Sequence, residues 1–225
     1  MPDVIKRTIG YGRWMKLREC MGGPKLYNDA FDRHRSIFIH IPKAAGTSVG
    51  EALFGAGNST HHYWDFYQAY DPEKFARYYK FTFVRNPFDR LVSAYTYLQQ
   101  TGKSTSRNDR RFRARYLSRY GSFKEFVCAG LNRPAIKNWG HFIPQSRFIA
   151  SDDRKIQVDF VGRVENMARD FVIVAERLKL PTQITHTNKS QRDHFSKYYD
   201  SESEEIVREH YRRDFELLGY PENVG

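Results

Sequence analysis

The apolar positions of this chain form short continuous runs that alternate with stretches of helical spacing. The first run covers residues 36–41, with apolar side chains at 37, 38, 39 and 41, and further runs cover 80–84 and 156–164. Continuous runs of this length are typical of strands that are buried on both faces of a parallel sheet. The pattern therefore predicts an α/β fold with a central, mostly parallel sheet flanked by helices.

Helical spacing follows the first two runs, and capping residues stand at the start of both predicted helices. The predicted caps are Thr47 or Ser48 for the first helix, and Asn86 followed by Pro87 for the second. Capping boxes at 122–125 and 201–204 open two more helices, and helical spacing also covers 71–78 and 166–180. Residues 1–35 are mixed and basic, which predicts a loosely packed lead-in before a single domain over 36–225.

The turn between the first strand and its helix is rich in small residues and carries one lysine. It spans residues 42–48, with the sequence Pro-Lys-Ala-Ala-Gly-Thr-Ser. The first N–H groups of a helix and the positive end of its dipole point at such a turn and attract anions. Lys43 adds a full charge, and Thr47 and Ser48 add hydroxyl donors. We interpret the turn as a phosphate-binding loop. The alternative is a turn whose small residues only permit tight packing.

A second anion site is predicted where the second strand ends. Arg85 follows that strand directly and precedes a helix, and open α/β sheets bind ligands at this position. Its planar guanidinium can make charge-assisted bonds to a phosphate, and Ser93, on the same helix, can add a hydroxyl. The alternative role for Arg85 is that of a structural ion-pair partner.

The composition indicates a globular protein with an anionic partner. The chain has 225 residues, of which 40% are hydrophobic and 16% aromatic, and its net charge is +11. Its two cysteines, Cys20 and Cys128, are far apart in the sequence, so they exclude a disulfide framework and the spacing of zinc ligands. No signal peptide and no apolar run of about 18 residues is recognisable, so we expect a cytoplasmic protein.

Both anion sites resemble the donor-binding motifs of sulfotransferases, in particular those of the carbohydrate type (family 2). Residues 41–48 match the pattern I-P-K-x-A-G-T-S of the family's 5′-phosphosulfate loop. Residues 81–95 resemble the segment in which an arginine and a serine grip the donor's 3′-phosphate. Weaker blocks extend the resemblance over most of the chain, at 141–145, 160–166, 187–190, 198–200 and 214–220. The resemblance implies a P-loop-like three-layer fold. It also implies transfer of a sulfuryl group from 3′-phosphoadenosine 5′-phosphosulfate to an acceptor hydroxyl, which leaves 3′-phosphoadenosine 5′-phosphate.

The resemblance also assigns individual residues to the site. Lys43 would contact the oxygen that bridges phosphate and sulfate and so stabilise the leaving group. The implied donor-binding residues are Lys43, Ala44, Ala45, Gly46, Thr47, Ser48, Arg85, Ser93, Lys189 and Ser190. No metal is expected, because cations of the protein can stabilise both the sulfuryl group and the leaving phosphate.

Catalysis also needs a base to accept the proton of the acceptor hydroxyl. In the family this base is commonly a histidine and sometimes a glutamate, located between the two phosphate motifs. An imidazole, with an ordinary pKa near ~6.5, suits this role at neutral pH. We favour His62, with His61 as the next candidate and Glu51 or Glu73 as acidic alternatives. A surface-loop histidine without a catalytic role is the other interpretation.

Residues 101–120 form the most basic segment of the chain, because Asp109 is their only acidic residue. The basic residues are Lys103, Arg107, Arg110, Arg111, Arg113, Arg115 and Arg119. The segment is either a solvated surface or a binding surface for an anionic acceptor. The family resemblance implies a sugar-containing acceptor on an oligosaccharide, polysaccharide or glycolipid, and no nucleic acid.

Two other functions remain open at this stage. A P-loop-type small-molecule kinase would need a glycine before the lysine in the first loop and an acidic magnesium ligand. A non-enzymatic basic module that binds an anionic polymer would fit the charge but would not explain two ordered phosphate motifs. Without a membrane anchor, we expect a bacterial cytoplasmic enzyme or an isolated catalytic domain.

Overall fold

A computed structural model describes residues 10–23, 25–55, 60–100, 106–184 and 192–225 of the protein. These residues belong to two compact units. The first unit draws on Met1–Ile41, Ala45–Val84 and Arg147–His186, and the second on Pro42–Ala44, Arg85–Ser146 and Thr187–Gly225. The division into a lead-in over 1–35 and one catalytic domain over 36–225 stays a prediction.

The first unit contains a parallel sheet of three strands in the order β1-β2-β3. The strands are β1 (Ser36–Ile39), β2 (Tyr79–Val84) and β3 (Phe160–Arg163). All of β1 is buried, as its apolar run predicts, and the rings of Phe38 and Phe81 stack with centroids 5.1 Å apart. The sheet is flanked by helices, with α2 against β1 and α11 against β3. The α/β prediction is therefore confirmed. The helices of this unit, numbered in chain order, are α1 (Tyr11–Cys20), α2 (Asp29–His34), α3 (Gly46–Phe54), α4 (Trp64–Tyr70), α5 (Pro72–Arg77) and α11 (Met167–Leu178).

The second unit is helical in its described part. Its first helix starts as predicted, because the Asn86 side chain accepts hydrogen bonds from the N–H groups of Phe88 and Asp89, and Pro87 is the first helical residue. The helices are α6 (Pro87–Gln99), α7 (Arg107–Phe112), α8 (Phe123–Ala129), α9 (Pro134–Lys137), α12 (Ser201–His210) and α13 (Arg212–Leu218). A short helix, α10 (Ser146–Ile149), is divided between the units: Ser146 belongs to the second unit, and residues 147–149 belong to the first. Within the described ranges, no helix is long and apolar enough to span a bilayer.

Several predicted element ends differ from the structure. The cap of α3 is Ala45 in a left-handed conformation, so the predicted cap at Thr47 or Ser48 is wrong and both residues lie inside the first turn. The box that opens α12 is formed by Asp200 and Ser203, because Asp200 accepts the Ser203 N–H. The third strand is shorter than predicted, and its first part forms only an isolated bridge between Ile156 and Ala150. The described part of the predicted lead-in, residues 10–23 and 25–35, contains two helices, and Phe31 of α2 is fully buried.

Candidate active site

The turn that follows β1 has an unusual backbone. Lys43 and Ala45 both have a positive φ, of 69° and 59°, although neither is a glycine. A left-handed conformation costs a residue with a side chain about 1–2 kcal/mol, and such strain is characteristic of ligand-binding turns. Ala45 caps α3 without any side-chain acceptor for the first N–H groups of the helix. A turn of this kind can offer successive backbone N–H groups to an anion.

In the first unit, Gly46 is required by the close approach of His40. A Cβ atom at Gly46 would lie 1.8 Å from Cδ2 of the His40 ring, so no other residue fits at the first position of α3. His40 is buried, and its ring stacks on Phe38. The start of the helix is thus packed directly on the residue that follows β1.

In the second unit, Lys43 lies among other cations. Its Nζ lies 3.9 Å from the centroid of the Tyr97 ring, and its carbonyl oxygen accepts a 3.4 Å hydrogen bond from Nη1 of Arg85. Burial, together with the nearby Arg85 guanidinium, lowers the pKa of Lys43 to about 8. The side chain is therefore mostly charged at neutral pH and would hold its proton more firmly beside an anion.

Arg85 is held in place by a buried glutamine. Oε1 of Gln145 accepts the Arg85 N–H at 3.0 Å, and Nε2 donates to the Arg85 carbonyl at 2.7 Å. Gln145 is itself fixed, because its N–H and that of Ser146 donate to the two carboxylate oxygens of Asp214 at 2.7 and 2.8 Å. Gln145 and Asp214 are fully buried. The blocks around 141–145 and 214–220 thus position the arginine backbone.

Asp89 joins Arg85 to a second guanidinium. Nε of Arg85 donates to Asp89 at 2.7 Å, and Arg192 pairs with the other oxygen of the same carboxylate. The Arg192 side chain is only 9% exposed. One carboxylate thus serves two arginines, and Lys43 experiences the charge of both. The cluster carries a net positive charge that suits a phosphorylated ligand.

A further set of polar contacts in the second unit surrounds Asp109. The Tyr97 hydroxyl donates to Asp109 at 3.3 Å, and Nε2 of His141 lies 3.2 Å from the other carboxylate oxygen. Burial alone would raise the pKa of the Asp109 carboxyl, but hydrogen bonds from His141, Ser106 and Tyr97 lower it to about 2. Asp109 is therefore an anion in the folded protein, and it orients the tyrosine on which Lys43 rests.

A buried arginine fixes the backbone of the residue that precedes Lys43. Arg90 is fully buried, and its guanidinium donates to the carbonyls of Pro42, His141 and Ile143 at 3.4, 3.3 and 2.6 Å. It also lies over the Tyr211 ring. Arg90 thus ties the turn that carries Lys43 to the segment that carries Gln145.

The two candidate base histidines, both in the first unit, have different surroundings. Nδ1 of His61 lies 3.0 Å from the His40 carbonyl, and the two rings meet edge to face at 4.3 Å. His62 packs against Phe66 and Tyr67. Burial, with the nearby positive groups, lowers the pKa of His62 to about 4. His61 thus contacts the residue that packs on the start of α3, whereas His62 is a weak base among aromatic rings.

The family comparison decides the class of the protein. The model of the sulfotransferase family matches residues 29–221, which include every element described above except α1. The chain belongs to the sulfotransferase family. This sulfotransferase is similar to carbohydrate sulfotransferase 12 of Mus musculus, with 24% identity over 84% of the chain and 59% of the relative. It is also similar to carbohydrate sulfotransferase 8 of Homo sapiens, with 29% identity over 68% of the chain and 43% of the relative. A third relative, carbohydrate sulfotransferase 14 of Danio rerio, is 25% identical over 84% of the chain and 61% of the relative.

The chain spans about half the length of these curated relatives. No solved structure gives a significant match. The comparisons therefore establish the family, but they do not show the donor, the acceptor or the role of any individual residue.

The structure brings some of the predicted sulfotransferase residues together. Lys43 and Arg85 are in contact, and Ser93 is buried on α6 in the same unit, whereas Ala45, Gly46, Thr47 and Ser48 belong to the first unit. Ala44 adjoins Lys43 and is buried. Lys189 and Ser190 lie outside the described residues. The site residues that the sequence did not reveal are Asp89, Arg90, Tyr97, Asp109, His141, Gln145, Arg192 and Asp214. Asp89 carried a local signal, because it stands four residues after Arg85 at the spacing of a helical ion pair. His141, Gln145 and Asp214 lie in the blocks at 141–145 and 214–220, but the sequence did not indicate their roles.

Proposed function

We propose that this sulfotransferase transfers a sulfuryl group from 3′-phosphoadenosine 5′-phosphosulfate to a hydroxyl of a carbohydrate. The observation that carries the proposal is the pair of guanidinium groups, Arg85 and Arg192, on the single carboxylate of Asp89. The Lys43 carbonyl contacts Arg85, and the Lys43 ammonium is close enough to be affected by the charge of both arginines. A donor with a 3′-phosphate and a 5′-phosphosulfate matches an excess of fixed cations, because charge-assisted hydrogen bonds to phosphate are strong. The names of the similar proteins support a carbohydrate acceptor.

In this proposal the cations of the second unit bind the donor and stabilise its leaving group. Arg85 binds the 3′-phosphate, with its backbone fixed by Gln145 and its guanidinium oriented by Asp89. Lys43 contacts the bridging oxygen, where negative charge develops as the sulfur–oxygen bond breaks. Because burial already lowers the Lys43 pKa, the ammonium gains more from a developing negative charge than a solvated lysine would.

For the base, the contacts favour His61 over His62, which was the candidate preferred from the sequence. A carbonyl oxygen can only accept a hydrogen bond, so the contact with His40 makes Nδ1 of His61 the protonated nitrogen. The lone pair then lies on Nε2 of an exposed ring. A group with a pKa of about 4 takes up a proton poorly at neutral pH, which counts against His62. The catalytic role of either histidine stays a prediction.

The donor assignment is tested by calorimetric titration of 3′-phosphoadenosine 5′-phosphate. Arg85→Ala should weaken binding by about 1.5–3 kcal/mol, the usual contribution of a hydrogen bond to a charged group. Arg133→Ala is the matched control, because Arg133 is an exposed arginine of the same unit that donates to the nearby Ala129 carbonyl. Wild-type affinity in Arg85→Ala would refute the assignment. Tighter binding of ATP with magnesium would favour a kinase, and tighter binding of an oligonucleotide would favour a basic binding module.

The base is tested by comparing two adjacent substitutions. His61→Ala should lower kcat by ~10²–10⁴-fold, the usual contribution of general base catalysis, while leaving donor affinity unchanged. His62→Ala should lower kcat far less. The opposite result would restore His62 as the base, and two active variants would direct the search to Glu51 or Glu73.

A further inference from the structure

The surface of the second unit carries a groove of about 320 Å³ beside α7 and the π-helical turn that follows it. Its volume is at the lower end of the range for small-molecule sites, which is roughly 300–1,000 Å³. The lining residues are Asn108, Arg111, Phe112, Arg115, Tyr116 and Trp139. None of them belongs to the cluster of Lys43, Arg85, Asp89 and Arg192, which is called the donor cluster below.

Helical spacing places five of these side chains on one face. Asn108, Arg111, Phe112, Arg115 and Tyr116 stand three or four residues apart, as neighbours on a helix surface do. The helix α7 continues into a π-helical turn, Arg113–Leu117, which is closed by a hydrogen bond from the Ser118 N–H to the Arg113 carbonyl at 3.0 Å. π-Helical turns are rare, and they are frequent at functional sites.

The groove combines an aromatic wall with exposed cations. The rings of Phe112 and Trp139 stack at 4.2 Å with an interplanar angle of 10°. The Arg115 guanidinium lies over the Tyr116 ring at 5.4 Å, and both Arg111 and Arg115 are exposed. Among the residues that the structure describes, no carboxylate pairs with either guanidinium. Phe112 is buried, so the half-buried rings of Trp139 and Tyr116 are the aromatic surface that the groove offers beside its two exposed guanidinium groups.

We infer that this groove binds an anionic sugar unit of the acceptor, at a position separate from the hydroxyl that is sulfated. The inference rests on the proposed function, because it takes the acceptor to be a carbohydrate. The apolar C–H face of a sugar ring packs on an aromatic side chain, and guanidinium groups bind carboxylate or sulfate in a planar, bidentate manner. A sugar that carries such a group uses both features of the groove, whereas a neutral sugar uses only the first.

The groove is connected to Lys43 by two contacts within the same unit. Asp109, on α7 between Asn108 and Arg111, accepts the hydrogen bond of the Tyr97 hydroxyl, and the Tyr97 ring lies against Nζ of Lys43. The helix that carries the groove is thus fixed relative to the lysine of the donor cluster. An acceptor held in the groove would be linked to this lysine through Asp109 and Tyr97.

The test measures saccharide binding by calorimetry without any donor, so that it does not depend on activity. The probe is a tetrasaccharide of alternating glucuronate and N-acetylglucosamine, and the neutral comparison is a tetrasaccharide of N-acetylglucosamine alone. The acidic probe should bind more tightly than the neutral one, and its affinity should fall as salt is added. The double variant Arg111→Gln/Arg115→Gln should weaken its binding roughly tenfold or more, because two charge-assisted contacts are lost. Arg111→Lys/Arg115→Lys should recover part of the loss.

Arg119→Gln is the matched control, because Arg119 is an exposed arginine of the same segment that does not line the groove. It should change the affinity less than twofold. Equal losses of affinity in Arg119→Gln and in the double variant would show a diffuse charge effect and overturn the inference. Equal binding of the two tetrasaccharides, or no binding of either, would overturn it as well. An oligonucleotide that binds through Arg111 and Arg115 while the acidic saccharide does not would make the groove a nucleic-acid site. Titration of 3′-phosphoadenosine 5′-phosphate into the double variant separates the two proposals, since donor affinity should be unchanged.

Discussion

Lys43 should take up a proton when the protein binds 3′-phosphoadenosine 5′-phosphate near pH 8. Burial and the Arg85 guanidinium lower the pKa of the free lysine to about 8, so about half of the molecules carry a neutral Lys43 at that pH. The phosphates of the ligand favour the charged form and raise the pKa on binding. Binding should therefore take up about half a proton at pH 8, about nine-tenths at pH 9 and only about a tenth at pH 7.

The sign of the effect follows from linkage. Because the complex holds more protons than the free protein, affinity must decrease as pH rises from about 8 towards the pKa of the complex, and it should approach a tenfold loss per pH unit. The ligand contributes little to this change, because the second ionisation of a phosphate monoester has a pKa near ~6 and is complete at pH 8. A lysine with the ordinary pKa of about 10.4 would show almost no uptake below pH 9.

The assay is calorimetric titration at fixed pH in two buffers that differ in ionisation enthalpy, since the difference in heat gives the number of protons. Lys43→Arg is the control, because an arginine stays charged throughout this range and should abolish the uptake. A proton uptake near zero in the wild-type protein between pH 8 and 9 would refute the reasoning. So would an equal uptake in Lys43→Arg, which would mean that another group titrates.

Three further changes test the groups that support the site. Asp109→Asn should lower the free energy of unfolding by about 2 kcal/mol at pH 7, because the pKa of the folded carboxyl, about 2, is below the ordinary 3.8. Denaturant titrations of both proteins should show this difference in free energy shrinking as the pH falls towards 2. Arg90→Lys should lower the free energy of unfolding by about 3 kcal/mol or more, since an ammonium cannot reach all three carbonyls, while exposed Arg133→Lys changes it by less than about 0.5. Gln145→Met should weaken product binding roughly tenfold by leaving the Arg85 backbone unpaired, and an unchanged calorimetric affinity would mean that Gln145 does not position the arginine.

The parts of the fold that the sequence predicts well are those with short-range signals. Strands β1 and β2 follow from continuous apolar runs, and α6 follows from Asn86 and Pro87 at its start. The start of α3 was mispredicted because its cap is set by backbone strain. Ala45 and Lys43 adopt left-handed conformations that residue type does not indicate, since glycine or asparagine is the usual choice there.

The sequence predicted the loop at 42–48 and Arg85 as site residues, and their roles stay predictions. The groups that contact Arg85 were not predicted, because they come from distant parts of the chain. Gln145 forms hydrogen bonds with the Arg85 backbone, and Asp214 accepts the N–H of Gln145. Arg192 pairs with Asp89, the same carboxylate that pairs with Arg85. Contacts between residues so far apart in the chain arise from the tertiary structure, so no spacing in the sequence predicts them. The same is true of the groove, since the ring of Trp139 stacks on Phe112 from a separate segment.

The loop at 42–48 and the cluster of Lys43, Arg85, Asp89 and Arg192 contain several arrangements that are energetically unfavourable by themselves. Two residues of the loop, Lys43 and Ala45, are strained by roughly 1–3 kcal/mol each. The Lys43 ammonium is buried close to Arg85, and both Arg85 and Arg192 depend on the single carboxylate of Asp89. A buried cation without full compensation destabilises the folded state, and an anion that binds among these groups offsets that cost. In the proposed function, these same charges would favour a ligand with several negative charges, since such a ligand compensates Lys43, Arg85 and Arg192 together.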